Sequence, residues 1–198
     1  MQSIFMPLIL FTLSMTITPG PNNMLLTVSG AQFGYRRNLP LIIGIVLGLL
    51  SQLVLSAMGL GLLFQEFPVI QNILKIIGTL YLLYLAFHIA FQNRKSREKK
   101  RAQNPLNVFQ GIALQYLNPK IYVTTITAIS VYTLEGEQYL PSVLLITGCF
   151  LVITPLSVSV WAAFGSFLNR WMGDEKGAKG IRYFLGGLTA ASVVFIIL

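Results

Sequence analysis

The sequence predicts an all-α, polytopic membrane protein with six transmembrane helices, and three observations carry that prediction. Of its 198 residues, 55% are hydrophobic and only 10% charged, where a soluble domain carries about 25% charged residues. The mean hydropathy is +0.71. The apolar residues gather into six long segments, and the basic residues gather between them. At this length a single integral domain over residues 1–198 is expected.

The segments cover residues 4–28, 40–63, 69–91, 108–132, 140–164 and 183–198. A helix crosses the hydrocarbon layer in about 20 residues. The sixth segment, at 16 residues, is short, so it either starts nearer Ile181 or leaves its ends in the interface. The chain opens Met1-Gln2-Ser3-Ile4-Phe5. This start lacks the positive region of a signal peptide, so it is expected to be retained as part of the first span.

Charge sets the orientation. Of the 14 basic residues, all but Lys75 and Lys120 fall in three stretches: Arg36 and Arg37; Arg94, Lys95, Arg97, Lys99, Lys100 and Arg101; Arg170, Lys176, Lys179 and Arg182. These are the connections after segments one, three and five. The connections after two and four hold only Glu66, Glu135 and Glu137. Basic loops stay cytoplasmic, so both termini are expected outside. Tyr132 and Tyr139 then sit at the outer interface, and Trp161 or Trp171 with Tyr183 at the inner one. No aromatic residue interleaves the basic run, and the +8 net charge is read as topology rather than nucleic-acid binding.

Three spans per half invert the second half. Residues 1–91 and 107–198 are expected to form inverted repeats, joined by a polar, basic cytoplasmic linker at 92–107. Pro19 and Pro119, like Gly48 and Gly148, stand 100 residues apart, and Ile77-Gly78-Thr79-Leu80 echoes Leu185-Gly186-Gly187-Leu188.

Two proline motifs break segments one and four, which predicts interrupted helices there. The first is Thr18-Pro19-Gly20-Pro21-Asn22-Asn23 and the second Gln115-Tyr116-Leu117-Asn118-Pro119-Lys120. Proline removes a backbone donor and clashes with the preceding turn. In lipid, freed backbone groups persist only where protein buries them or where they line a cavity. Matched breaks in two halves point to a binding site between the repeats of a transporter, with one repeat rocking against the other. A kink that only shapes packing is the plainer reading of either break alone.

In the first motif Gly20 lets the backbone turn, and Asn22 and Asn23 are candidates to cap the half-helix resuming at Met24. That half-helix would offer free N–H groups to a carboxylate. The half-helix ending near residues 16–18 would offer free carbonyls to an ammonium or a cation. In the second motif, Asn118 precedes Pro119 and is pushed out of helical angles. Lys120 is the one charged residue at mid-depth of a segment, where a charge costs about 2.5–3.5 kcal/mol. It is a candidate to bind a carboxylate, to carry a proton, or to bolt the first break through its carbonyls. Gln115 and Tyr116 add polar groups one turn earlier. Thr124, Thr125 and Thr127 follow, in positions where threonine commonly bonds its own backbone.

Segment two carries Gly44 and Gly48 at GxxxG spacing, which suits close helix packing, a sliding surface or a homodimer face. Gln52 on the same segment needs a polar partner in lipid. Tyr81 and Tyr84 in segment three either line a pathway or pack; Lys75 is expected to snorkel outward, and His88, near the inner end of the segment, is expected to be an interfacial histidine, with a proton sensor the sharper alternative.

Absences narrow the function. No Asp or Glu falls within a segment, and no His/Cys/Asp/Glu cluster suits a metal. No Walker loop is present, the single Cys149 makes no redox pair, and no catalytic constellation stands out. Neither an enzyme nor a cofactor is expected. Sodium on backbone carbonyls, protons through Lys120, and uncoupled export all fit, as does a non-transporting membrane scaffold.

Thr18-Pro19-Gly20-Pro21-Asn22 and the later Gln115…Asn118-Pro119-Lys120 resemble the two signatures of the lysine-exporter/homoserine-threonine-resistance superfamily. Gly44, Gly48 and Gly78-Thr79-Leu80-Tyr81-Leu82 fall where that family places similar residues, and the resemblance covers essentially the whole chain. It implies a bacterial inner-membrane exporter of amino acids or their derivatives. Ala113 through Tyr122, Thr127-Ala128-Ile129-Ser130 and Gly34-Tyr35-Arg36 look most like the cysteine/O-acetylserine branch; homoserine, threonine and leucine come next, and another small metabolite is the alternative.

Overall fold

The computed structural model describes residues 2–90 and 105–171, with single positions 180, 183 and 187 beyond them. Every regular element among the described residues is helical. Most of the sixth segment and of the linker at 92–107 lies outside the described residues, as do the side chains of Lys75, Tyr81, His88 and Trp171.

The first apolar segment folds as two helices, α1 (Gln2–Ile17) and α2 (Pro21–Phe33), bent by 54°. Pro21 opens α2, where its missing N–H costs nothing and its fixed φ suits a first helical turn. Helix α2 runs past the expected end at residue 28 because the stop is Gly34, whose φ of +81° lets its N–H close on the Gly30 carbonyl at 2.9 Å. Buried Asn38 ties the next turn, donating to the Gly34 carbonyl at 2.7 Å and accepting from the Ser29 hydroxyl.

Helix α3 (Leu39–Leu55) follows and widens into a π turn over Ser56–Leu60, where Gly59 takes a φ of +104°. The chain continues as α4 (Gly61–Glu66) and α5 (Pro68–Ala90). Helix α6 (Val108–Tyr116) starts on a reciprocal cap between Asn107 and Gln110. The second break separates it from α7 (Pro119–Tyr132). Helix α8 (Tyr139–Trp171) is continuous through Pro155 and overruns the expected end at 164. By length and hydropathy, Arg36–Glu66 and Gly136–Leu168 each suffice to cross a membrane, and α1 and α2 pass the same test only when taken together as a bent pair.

The closest packing joins α2 to α8 and α3 to α6, with α1 also lying along α8. Glycine makes both approaches. A Cβ on Gly30 would collide with the Ala162 carbonyl, and one on Gly165 with the Thr27 carbonyl. Gly44 meets Gly111 and the Val108 carbonyl, and Gly48 meets the Gln115 side chain. The GxxxG face is therefore filled within the chain. Gly148, the expected echo of Gly48, has no described atom within 4 Å of its Cβ position.

Two apolar clusters form the interior. One gathers Leu8, Leu49, Leu53, Ile121, Ile146 and Phe150; the other gathers Leu25, Leu26, Leu41, Ile45, Val158 and Ala162. Polar Asn22, Asn23, Gln52, Gln115 and Asn118 are buried among them, while Ile43, Leu47, Leu80, Leu144, Leu151 and Val160 are exposed. Polar groups inside an apolar exterior suit a hydrocarbon solvent.

Candidate functional site

The fold brings the two proline breaks together. The Lys120 ammonium donates to the Thr18 carbonyl at 3.2 Å, and the Asn22 amide donates to Gln115 Oε1 at 2.9 Å. Between the breaks lies a small, half-open cleft, lined by Gly20, Pro21, Asn22, Asn23, Gln115, Asn118 and Lys120. It falls where the two apolar clusters meet: Ile45 and Val158 come from one, Leu49 and Ile121 from the other.

The first break is built differently from the expectation. Asn22 and Asn23 do not cap α2. Gly20 is its N-cap, in extended conformation with φ −169° and no side-chain cap bond. With Pro21 at the first helical position, both asparagines fall inside the first turn. Asn23 reaches back across the break, and its amide donates to the carbonyls of Thr16 at 2.8 Å and Thr18 at 2.9 Å. Trp161 donates its indole N–H to the Ile17 carbonyl at 3.0 Å, so this tryptophan serves the break. The α1 carbonyls expected to stand open for an ammonium thus have protein partners. What the break does leave open is on the other side. Pro21 has no N–H and Met24 N–H bonds the Gly20 carbonyl at 2.9 Å, so the N–H groups of Asn22 and Asn23 have no carbonyl within the helix.

Asn23→Asp tests this arrangement directly. The Thr16 carbonyl loses the Asn23 donor, the Thr18 carbonyl keeps Lys120 alone, and a carboxylate enters a residue only 4% exposed. Loss of two buried hydrogen bonds costs about 2–3 kcal/mol, and the charge adds to it. Thermal unfolding of purified protein in detergent is expected to fall well below that of Asn23→Ala, which is itself below wild type.

The second break follows the expectation. Asn118 is extended with ψ 102°, and its Oδ1 accepts from the Lys120 N–H at 3.2 Å, capping α7. The carbonyls freed at the end of α6 are also engaged: Gln115 O accepts from the Gln52 amide at 3.0 Å, and Tyr116 O from the Tyr122 hydroxyl at 2.9 Å. Gln52 therefore holds the site from behind. Half-buried Lys120 makes no ion pair among the described residues, and its ammonium has three donors for the one carbonyl it meets.

Other candidates lie elsewhere. Gly44 and Gly48 serve the α3–α6 contact. Tyr84 is 63% exposed on α5 and is not part of the cleft wall; Tyr81 lies on the same helix. Thr16, Thr154 and the apolar side chains of Met15, Ile45 and Leu49 line the cleft without having been singled out in sequence as lining residues. They carry no local motif; only the meeting of α1, α3 and α8 makes them neighbours.

Known proteins place this architecture. The chain matches the family described as LysE type translocator over residues 13–197, a range that includes both breaks. A cysteine/O-acetylserine efflux protein of Salmonella paratyphi A is 30% identical over 163 residues, covering 81% of each chain. Another so named, from Escherichia coli K12, is 29% identical over 161 residues, again 81% of each. No solved structure matches. With its buried polar breaks, its apolar exterior and a family match along nearly its whole length, the chain belongs to the LysE type translocator family and is a multi-pass membrane translocator, not an enzyme.

Proposed function

We propose that the protein is a secondary exporter of small neutral amino acids, with cysteine and O-acetylserine the first candidates and homoserine, threonine and leucine next. The observation that carries the reading is the cleft between the breaks, where Lys120 has spare donors beside the free N–H groups of Asn22 and Asn23. Together they suit a carboxylate. As Lys120 turns to that carboxylate it releases a lone pair of the Thr18 carbonyl, which Asn23 continues to hold. The substrate ammonium takes the vacated place, helped by Asn118 Oδ1. Substrate thus replaces a contact between the two breaks, and binding is tied to their relative position.

The wider frame is six spans in two inverted repeats, residues 1–91 and 107–198, in a bacterial inner membrane, with the 92–107 linker cytoplasmic and both termini outside. The basic connections support that topology. The glycine contacts pair α2 with α8 and α3 with α6, each across the repeat boundary. Alternating access then moves the α2–α8 pair against the α3–α6 pair, rather than one repeat against the other.

Counterflow in proteoliposomes tests the reading. Vesicles loaded with unlabelled cysteine, O-acetylserine, homoserine, threonine, leucine or lysine are offered the labelled compound, with and without Na⁺ and a pH gradient. Saturable exchange of a small neutral amino acid is expected, and the gradient that drives net flux identifies the coupling ion. Folded protein that exchanges none of them is not an amino-acid carrier.

A further inference from the structure

Thr154 carries a hydroxyl that the fold leaves without a partner. It lies on α8 directly before Pro155 and one turn before Val158, and residues 154 and 158 both line the cleft. The residue is 1% exposed, and its Oγ1 makes no hydrogen bond. Threonine in a helix normally returns its hydroxyl to a carbonyl three or four residues earlier. The other threonines of the cleft wall do so: Thr16 donates to the Thr12 carbonyl and Thr124 to the Lys120 carbonyl, each at 2.7 Å. Thr27 and Thr147, away from the cleft, do the same, while Thr12 and Thr79, also outside the cleft wall, leave theirs unpaired. A buried hydroxyl left unpaired is destabilising, and valine would fill the same shape without that cost.

The surroundings indicate what would pair with it. A zwitterion whose carboxylate is held at Lys120 and the α2 N-terminus leaves its side chain to the remaining wall. That wall is apolar at Met15, Ile45, Leu49, Ile121 and Val158. Thr154 is the hydroxyl in it whose donor and acceptor are both unused. A methyl-terminated side chain would leave that hydroxyl unpaired, and a side chain with one polar atom would satisfy it.

We infer that Thr154 is a specificity residue whose hydroxyl hydrogen-bonds a polar atom on the substrate β-carbon, so that the cleft prefers short amino acids bearing a hydroxyl, thiol or ester oxygen there over their methyl isosteres. The inference rests on the amino-acid carrier reading above.

The test is competition in counterflow between serine or cysteine and 2-aminobutyrate, which places a methyl where they carry oxygen or sulfur. Wild type is expected to favour serine about tenfold, the size of one neutral hydrogen bond, and cysteine by less because S–H is a weaker donor. Thr154→Val should bring the ratio near unity by losing the polar substrates while keeping 2-aminobutyrate, and Thr154→Ser should restore it. The melting temperature of Thr154→Val should equal or exceed wild type, since an unpaired buried hydroxyl has been removed. An unchanged ratio in Thr154→Val would overturn the inference. So would an equal loss of all three substrates, or a fall in melting temperature with the ratio intact, which assign the hydroxyl to shared substrate atoms or to structure. A wild-type protein that exchanges no amino acid overturns the carrier reading, and this inference with it.

Discussion

Lys120→Met is expected to abolish amino-acid counterflow while leaving a folded protein. The lysine is the cationic group of the cleft wall and donates to the Thr18 carbonyl at 3.2 Å. Two roles compete: a bolt that holds the breaks together, and the group that meets a substrate carboxylate. Their consequences differ because Thr18 O has a second donor, Asn23, at 2.9 Å. Removing Lys120 therefore leaves no orphaned carbonyl, and the structural loss should stay near 1 kcal/mol, the net worth of one hydrogen bond. Removing the charge that faces a carboxylate costs about 3 kcal/mol or more in binding, a hundredfold or greater loss of exchange at fixed substrate. Lys120→Arg keeps the charge on a larger planar group and should fall between. Exchange rates and melting temperature measured on the same preparations decide it. Wild-type exchange in Lys120→Met would remove Lys120 from the substrate site; a large drop in melting temperature with proportionate loss of exchange would make it a bolt.

Much of this arrangement was legible in the sequence, for physical reasons that can be named. Proline within an apolar segment forces a break, and lipid forbids leaving the freed groups bare, so both breaks and their polar neighbours could be marked in advance. The chemistry of Asn118 followed from its place before a proline. Asn23 did not, although a signal was there: Pro21 favours the first position of a helix, which puts the cap at Gly20 and turns the asparagines inward. Thr154 gave no signal, because a threonine in an apolar helix ordinarily satisfies itself, and only the meeting of α1, α3 and α8 around the cleft shows that this one does not. Gly30 and Gly165 were equally silent. They stand far apart in sequence, without the fourfold spacing that marked Gly44 and Gly48, and their partner surfaces are backbone carbonyls that no sequence pattern reports.

Gly165→Ala is expected to be the most damaging glycine-to-alanine change among the described residues, with Gly30→Ala close behind. At position 165 the added Cβ would overlap the Thr27 carbonyl, and at position 30 the Ala162 carbonyl. Neither obstacle is a side chain that can rotate away; each is the backbone of a helix. The α2–α8 pair must separate along its length, opening the contacts of Leu25, Leu26, Val158 and Ala162 in one apolar cluster. Ser166, which donates to the Gly30 carbonyl at 3.1 Å, loses that bond as the helices part. Overpacking a closed interface costs about 1–3 kcal/mol, and obstruction by backbone belongs at or above the top of that range. Gly148→Ala on the same helix is the control. Nothing described lies within 4 Å of its Cβ position, and alanine favours a helix over glycine by about 1 kcal/mol, so that variant should be neutral or slightly stabilised. Thermal unfolding in detergent, read beside the yield of monodisperse protein, gives the comparison. Equal melting temperatures for Gly165→Ala and Gly148→Ala would mean that α2 and α8 have slack between them, and would remove the ground for treating the pair as one moving body.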